Sequence, residues 1–175
     1  MSKKLFCIVG KSGAGKTTVT DLICACTGMK SVQSMTTRPM RYPGEKGHTF
    51  VSPEEFHRYD HVAYTMFDGN EYGVPAEMLD ESDFYVIDID GVKTLRERYH
   101  GKQLVVVYLD IAPEVAAIRM NARGDAVEKI IKRIRNDKTM FADIEGLKPD
   151  YIINAGQDLV NVVSSLMDIV RKENA

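Results

Sequence analysis

The sequence predicts an α/β protein: a doubly wound, mostly parallel sheet with a small inserted lobe and a basic helical segment. Three observations point to this. The runs Leu5–Val9, Phe84–Ile89 and Leu104–Leu109 are almost continuously apolar, as strands are when both faces are covered. Stretches of helical periodicity alternate with them, the pattern of strands joined by crossover helices. From Thr36 to Tyr72 the alternation stops, and the chain turns polar and is broken by Pro39, Pro43, Gly44, Gly47 and Pro53. In an open sheet of this kind, ligands sit at the carboxyl ends of the strands.

Taken in order, Lys4–Val9 is the first strand, and it runs into Gly10-Lys11-Ser12-Gly13-Ala14-Gly15-Lys16-Thr17. That octet is Gly, four residues, then Gly-Lys-Thr, between a strand and a helix-compatible run ending at Thr27, which is the setting a phosphate-binding loop needs. Its backbone N–H groups turn inward on an anion, and the helix start adds the positive end of its dipole. Lys16 is placed to reach the β- and γ-phosphates of a nucleoside triphosphate, and the Thr17 hydroxyl to ligate Mg²⁺. The fold class is therefore that of the P-loop NTPases. A glycine turn with a chance lysine is the alternative, but all four fixed positions match in context.

Ser31–Ser34 reads as a short strand. Within the polar insert, Ser52-Pro53-Glu54-Glu55 has capping-box spacing with proline at the first helical position, and Val62–Phe67 followed by Asp68-Gly69 and Asn70–Tyr72 reads as a hairpin. Phe84–Asp90 and Leu104–Leu109 are core strands. Pro113–Ala122 and Asp125–Phe141 are helices, Tyr151–Ile153 is a last strand, and Leu159–Val170 is a closing helix with apolar residues at 159, 162, 163, 166, 167 and 170. The expected division is a single domain with core 1–33, 80–118 and 139–175, an inserted lobe 34–79 and a basic hinged segment 119–138.

A chain of 175 residues with 44% hydrophobic and 27% charged residues suits one ordinary globule. The net charge of −2 offers no bulk attraction to nucleic acid or an anionic membrane. The apolar N-terminal run leads straight into the glycine loop, so it is expected to be a strand and not a signal peptide. Cys7, Cys24 and Cys26 are expected to be buried thiols of a reducing, cytoplasmic compartment; the last two, two apart on a helix, face different sides and chelate poorly.

Asp88 closes an apolar strand beside the phosphate loop, where a carboxylate can hold Mg²⁺ directly or through water. Capping the next helix is its other reading. Asp90, two further on, is expected on the same strand face and in the same cleft. Arg38 and Arg41 form a cationic pair in a proline-stiffened loop; planar guanidinium forks suit phosphate, whereas a solvated surface pair is the common alternative. Residues 119–138 hold seven basic side chains against three acidic ones, a local net of 7 − 3 = +4. Arg123-Gly124-Asp125 looks like a hinge within them. Such a segment can fold over a triphosphate and offset developing charge, although Lys129, Lys132 and Lys138 read as solvated.

Together these pieces resemble the guanylate kinases among the nucleoside monophosphate kinases, over nearly the whole chain. The resemblance rests on Gly10–Thr17, Thr36-Thr37-Arg38-Pro39 with Arg41 and Gly44-Glu45, Asn70-Glu71-Tyr72-Gly73, Asp88-Ile89-Asp90-Gly91, Arg123-Gly124 and Ile152-Ile153-Asn154. It implies a core, an acceptor lobe and a lid, with ATP as donor and Mg²⁺ as cofactor. Gly10 to Thr17, Thr18 and Asn154 would bind ATP, with Asn154 near the adenine. Arg38, Arg41 and Tyr72 match positions that hold the acceptor phosphate, and Ser34 and Asp90 match positions near its base. Arg119, Arg123 and Arg133 match lid arginines on the donor phosphates. Lys16, Arg38, Asp88 and those three arginines are the catalytic set.

The sequence departs from the family at three places. His48 stands where a tyrosine is usual, Ala63 where an acid reads guanine N1 and N2, and Val74 where a serine or threonine follows Tyr-Gly. A small slip of alignment would let Thr65 or Asp68 supply a lost contact. The phosphate half thus looks intact and the base half rewritten, and polar readout is what gives large discrimination. The activity expected is phosphorylation of GMP. A related kinase acting on another nucleotide or on ribose 1,5-bisphosphate is the alternative. A non-catalytic peptide-binding module would require a degraded loop, and Lys16 and Thr17 are intact.

Overall fold

The computed structural model describes residues 3–175 apart from Arg41, Lys46 and Asp68, and apart from the side chain of Phe67. Its first sheet has the order β6-β1-β7-β8, formed by β1 (Lys4–Gly10), β6 (Phe84–Val86), β7 (Gln103–Asp110) and β8 (Tyr151–Asn154). Every pairing in it is parallel. Successive side chains of β1 go to opposite faces, as period two requires. Phe6 and Ile8 join the core beneath α1 (Lys16–Thr27), α5 (Pro113–Ala122), α6 (Val127–Met140) and α8 (Leu159–Asn174). Leu5, Cys7 and Val9 join a second core with α3 (Ala76–Asp80), α4 (Ile89–Arg98) and Leu147 of α7 (Ile144–Leu147). The doubly wound parallel sheet is as expected.

The polar insert builds a second sheet of order β3-β2-β5-β4, from β2 (Met35–Thr36), β3 (Thr49–Phe50), β4 (His61–Phe67) and β5 (Asn70–Pro75). Pro53–Phe56 is the short helix α2, and the Ser52 hydroxyl accepts a hydrogen bond from Glu55 N at 3.1 Å, as its spacing predicts. Val62, Ala63 and Val74 of the hairpin close over the second core, so the two sheets share apolar contacts.

Several expectations need correction. The second apolar run does not extend as a strand to Asp90: β6 stops at Val86, and Asp88 caps α4, its Oδ1 accepting from Gly91 N at 2.6 Å. The alternation Ile87-Asp88-Ile89-Asp90 mimics a strand, but Ile89, Val92 and Leu95 bury one helical face. Asp90 therefore lies in a first helical turn. Ser31–Ser34 contributes one isolated bridge, Ser31 to Phe84, and the strand begins at Met35 in the other sheet. Of the cysteines only Cys7 is buried; Cys26 is exposed, and all three are free. Burial pushes the Cys7 thiol up to about 12. No helix among the described residues is long and apolar enough to cross a membrane.

Candidate active site

The phosphate loop joins β1 to α1 at the carboxyl edge of the first sheet. Gly13 has φ +76°, and a Cβ there would lie 2.9 Å from the Ala116 carbonyl oxygen of α5. Glycine is thus required both by the left-handed backbone and by the close approach. Ala14 is buried in the core, so its side chain serves packing. Lys16 Nζ is turned onto the loop, donating to Gly10 O at 2.5 Å and Lys11 O at 3.1 Å. Burial pulls its ammonium below the usual lysine value; Asp137 opposes that shift, and Arg123 and Arg133 add to it.

A cavity of about 400 Å³ opens over the loop, lined by Ser12, Gly13, Gly15, Lys16, Thr17 and Thr18 together with Arg119, Arg123 and Arg133. The structure therefore gathers the three separated arginines on the phosphate loop. Arg123 makes a two-pronged contact with Asp125, at 2.8 and 2.6 Å, and Arg133 approaches the same carboxylate at 3.7 Å. Arg119 Nη2 donates to Gln157 O at 3.3 Å. Asn154 ends β8 outside this cavity, and its Oδ1 accepts from Gly156 N at 2.9 Å. Lys11 reaches away, to Asp110 Oδ1 at 3.5 Å.

In the second sheet, pairing of Thr36 with Tyr72 sets Tyr72 beside the arginine loop. Arg38 is held by both oxygens of Glu45, at 2.8 and 3.2 Å, and lies over the Phe50 ring at 5.2 Å. Its guanidinium is held above the usual range by the Glu45 hydrogen bond foremost and by Tyr72 as well. Ser34 Oγ and His48 Nδ1 are 2.9 Å apart, and the His48 ring stands edge-on to Tyr72 with centroids 5.4 Å apart. Arg41 lies outside the described residues.

Beside this cluster is a cavity of about 150 Å³, walled by Ala63, Tyr64, Thr65 and Tyr72 on one side and by Tyr85, Ile87, Asp88, Asp90, Gly91 and Thr94 on the other. Ala63 and Val74 are cross-strand partners and both are buried. Thr65 does line the cavity, whereas Asp68 lies outside the described residues. Helix α4, not a common strand face, is what brings Asp90 to it.

Asp88 connects the two halves. It lines the 150 Å³ cavity and also one of about 410 Å³ that runs from Tyr85–Asp88 to Gly10, Ser12 and Lys16. Its capping role and a ligand role are compatible, because Oδ1 takes the Gly91 bond. Among the described residues Oδ2 receives none. An exposed Thr17 hydroxyl and a carboxylate oxygen are hard donors of the kind Mg²⁺ accepts. Among the described residues no group of three or more His, Cys, Asp or Glu could hold a metal, so most ligands would have to come from nucleotide and water.

Sequence reasoning missed Asp137, whose Oδ2 accepts from Ser12 N in the phosphate loop at 2.8 Å. Its position four residues beyond Arg133, on the same helical face, is the signal that could have found it. Glu45, which holds Arg38 with both oxygens, and Tyr85, which lines both cavities, are further site residues that the sequence does not single out.

A parallel sheet, a complete phosphate loop at its carboxyl edge and converging arginines define a P-loop nucleotide-binding protein. A family model described as an AAA domain matches residues 1–154. The guanylate kinase of Thermotoga maritima is similar, 30% identical over 193 aligned positions that cover 100% of this chain and 89% of that one. The guanylate kinase of Desulfotalea psychrophila is 32% identical over 189 positions, covering 98% and 90%. Among solved structures, guanylate kinase from Anaplasma phagocytophilum matches with a TM-score of 0.66 at 23% identity, over 99% of this chain and 87% of that one. The chain carries the AAA-type P-loop domain and belongs to the guanylate kinase family.

Proposed function

We propose that the chain is an ATP-dependent nucleoside monophosphate kinase that converts GMP to GDP. The observation that carries this reading is the sharing of walls. Tyr85, Ile87 and Asp88 line both the cavity beside Arg38 and Tyr72 and the cavity that reaches Lys16. Two anions held at those ends would meet near Asp88, and bringing them into line is most of what phosphoryl transfer needs from a protein.

In this reading residues 34–79 bind the acceptor and residues 119–138 form a lid over the donor. Gly10 to Thr18 hold the donor phosphates, with Lys16 leaving its carbonyl partners for the triphosphate. Asn154 lies toward the adenine. Arg38, with Arg41, Tyr72 and His48, holds the acceptor phosphate, and Ser34 and Asp90 lie toward its base. Arg119, Arg123 and Arg133 balance the charge that develops on transfer, and lid closure excludes water from the γ-phosphate. Thr17 and Asp88 would hold Mg²⁺, which when bound draws charge from the phosphate oxygens. We place the enzyme in the cytoplasm, where three unpaired thiols stay reduced.

One observation favours a second acceptor. Where the hairpin wall of the 150 Å³ cavity carries Ala63 it offers no side-chain hydrogen-bonding group, which leaves that position without the polar readout that rejects wrong bases. A coupled ADP-release assay across GMP, dGMP, AMP, UMP, dTMP, IMP and ribose 1,5-bisphosphate decides. Highest kcat/KM with GMP supports the reading, and highest kcat/KM with another acceptor replaces it.

A further inference from the structure

We propose that Asp137 is a built-in competitor for the phosphate loop, docking α6 on the loop through the Ser12 amide and giving way when a donor phosphate arrives. This rests on the reading of Gly10–Thr17 as the donor site.

Ser12 belongs to the loop whose N–H groups would cradle the donor phosphates, and it lines both the 400 Å³ and the 410 Å³ cavities. In this structure its amide donates to Asp137 Oδ2 at 2.8 Å, across 125 residues of sequence. A carboxylate oxygen thus takes an amide of the phosphate loop at Ser12, which the two cavities share. Asp137 also lines the 410 Å³ cavity together with Gly10, Ser12 and Lys16, and its charge acts on Lys16. Charge-assisted bonds of this kind are among the stronger ones in proteins.

A triphosphate and Asp137 cannot share that amide without placing like charges in contact. One helical turn earlier on the same face is Arg133, which lines the donor cavity. The face of α6 that meets the loop therefore carries an anion and a cation. The anion holds the Ser12 amide, and an arriving phosphate would repel it and attract the cation. Room for the shift exists behind the contact, where a cavity of about 340 Å³ is lined by Lys11, Pro113, Ala116, Ile134, Lys138 and Phe141. The helix end is tied to the contact as well, since Phe141 N donates to Asp137 O at 2.9 Å.

The test is calorimetric binding of ATP and of inorganic triphosphate to the full chain and to D137N, D137A, R133A and K16A, with melting as the check on folding. Removing the competitor should tighten both ligands about tenfold in D137N and at least as much in D137A, because a bond that must be broken is weakened or gone. R133A should loosen both, so that two residues one turn apart act with opposite sign. Unchanged or weaker binding in D137 variants that melt like the parent overturns the proposal. In the unmodified chain, amide exchange at residues 137–141 should quicken when Mg-ATP is added; unchanged or slower exchange there also overturns it. Failure of the parent chain to bind ATP, or binding undiminished by K16A, strikes the donor-site reading itself and the proposal with it.

Discussion

The two proposed phosphate sites are built by different means. At the donor end, eight consecutive residues form a backbone cradle, and one lysine and three arginines finish it. At the acceptor end, Ser34, Arg38, His48, Tyr72 and Asp90 come from four elements or loops, and only strand pairing and the first turn of α4 bring them near one another. The contrast teaches that a site made of main chain tolerates little change along its own sequence. A site made of side chains on paired strands can be rewritten one residue at a time while its frame stays in place. That matches the chain itself, whose loop is complete and whose proposed acceptor cavity has Ala63 in its wall.

The largest expected effect tests the donor side of that contrast. In K16A the cradle persists but the cation that follows the transferring phosphoryl is lost, and turnover should fall by about 10²–10³-fold or more. The coupled ADP-release assay measures it, and an unchanged melting profile shows that the fold survives. Turnover near the parent's would mean that the cradle is inert and the comparison has only one functional end. R38A tests the other side. It removes the fork that Glu45 now holds and should raise the acceptor KM about 10- to 100-fold while leaving the KM for ATP in place. A shift confined to the ATP KM would move Arg38 to the donor half.

The same contrast explains how much could be read before any coordinates. The donor loop was legible because its chemistry is contiguous and its glycines are required by geometry visible in the motif. The sheet, the hairpin and the capped turn at Ser52 were legible because each follows a local period or cap. Helix α4 was not, since Ile87-Asp88-Ile89-Asp90 alternates like a strand until Gly91 lets Asp88 cap the turn. Asp90 reached the predicted cavity by a route the sequence did not reveal. Asp137 was hidden in a segment of seven basic and three acidic side chains, where any one acid reads as a surface charge. Ser31–Ser34 reads as a strand but forms only one bridge, and the strand starts at Met35 in the second sheet, because short strands depend on long-range partners.

A smaller effect sharpens the acceptor side. Ala63 lines the 150 Å³ cavity on a frame already fixed by pairing with Val74. A63E restores a carboxylate to that wall, where it can accept from the N1–H and N2–H edge of guanine. IMP lacks the 2-amino group and is the discriminating competitor. The ratio of kcat/KM for GMP over IMP should rise about tenfold, the scale of a modest polar gain in a pocket. An unaltered ratio would show that residue 63 does not face the base, and that the rewritten wall is not what sets acceptor choice.

The smallest effect separates the two kinds of site through one type of residue. Gly13 and Gly69 both have positive φ, +76° and +74°, yet a Cβ at Gly13 meets Ala116 O at 2.9 Å, whereas at Gly69 nothing lies within 4 Å. G13A therefore combines backbone strain with a clash inside the cradle. G69A has strain alone, at the tip of the hairpin, and should lower the unfolding free energy by about 1–2 kcal/mol. Chemical denaturation measures this loss. The kcat and both KM values of G69A should stay at the parent's, because the strand pairs that place Tyr72 and Thr65 begin beyond the turn. If G69A instead raised the acceptor KM, the hairpin tip would touch the acceptor. The lobe would then depend on main-chain shape as the phosphate loop does, and the distinction between the two ends would fail at its most local point.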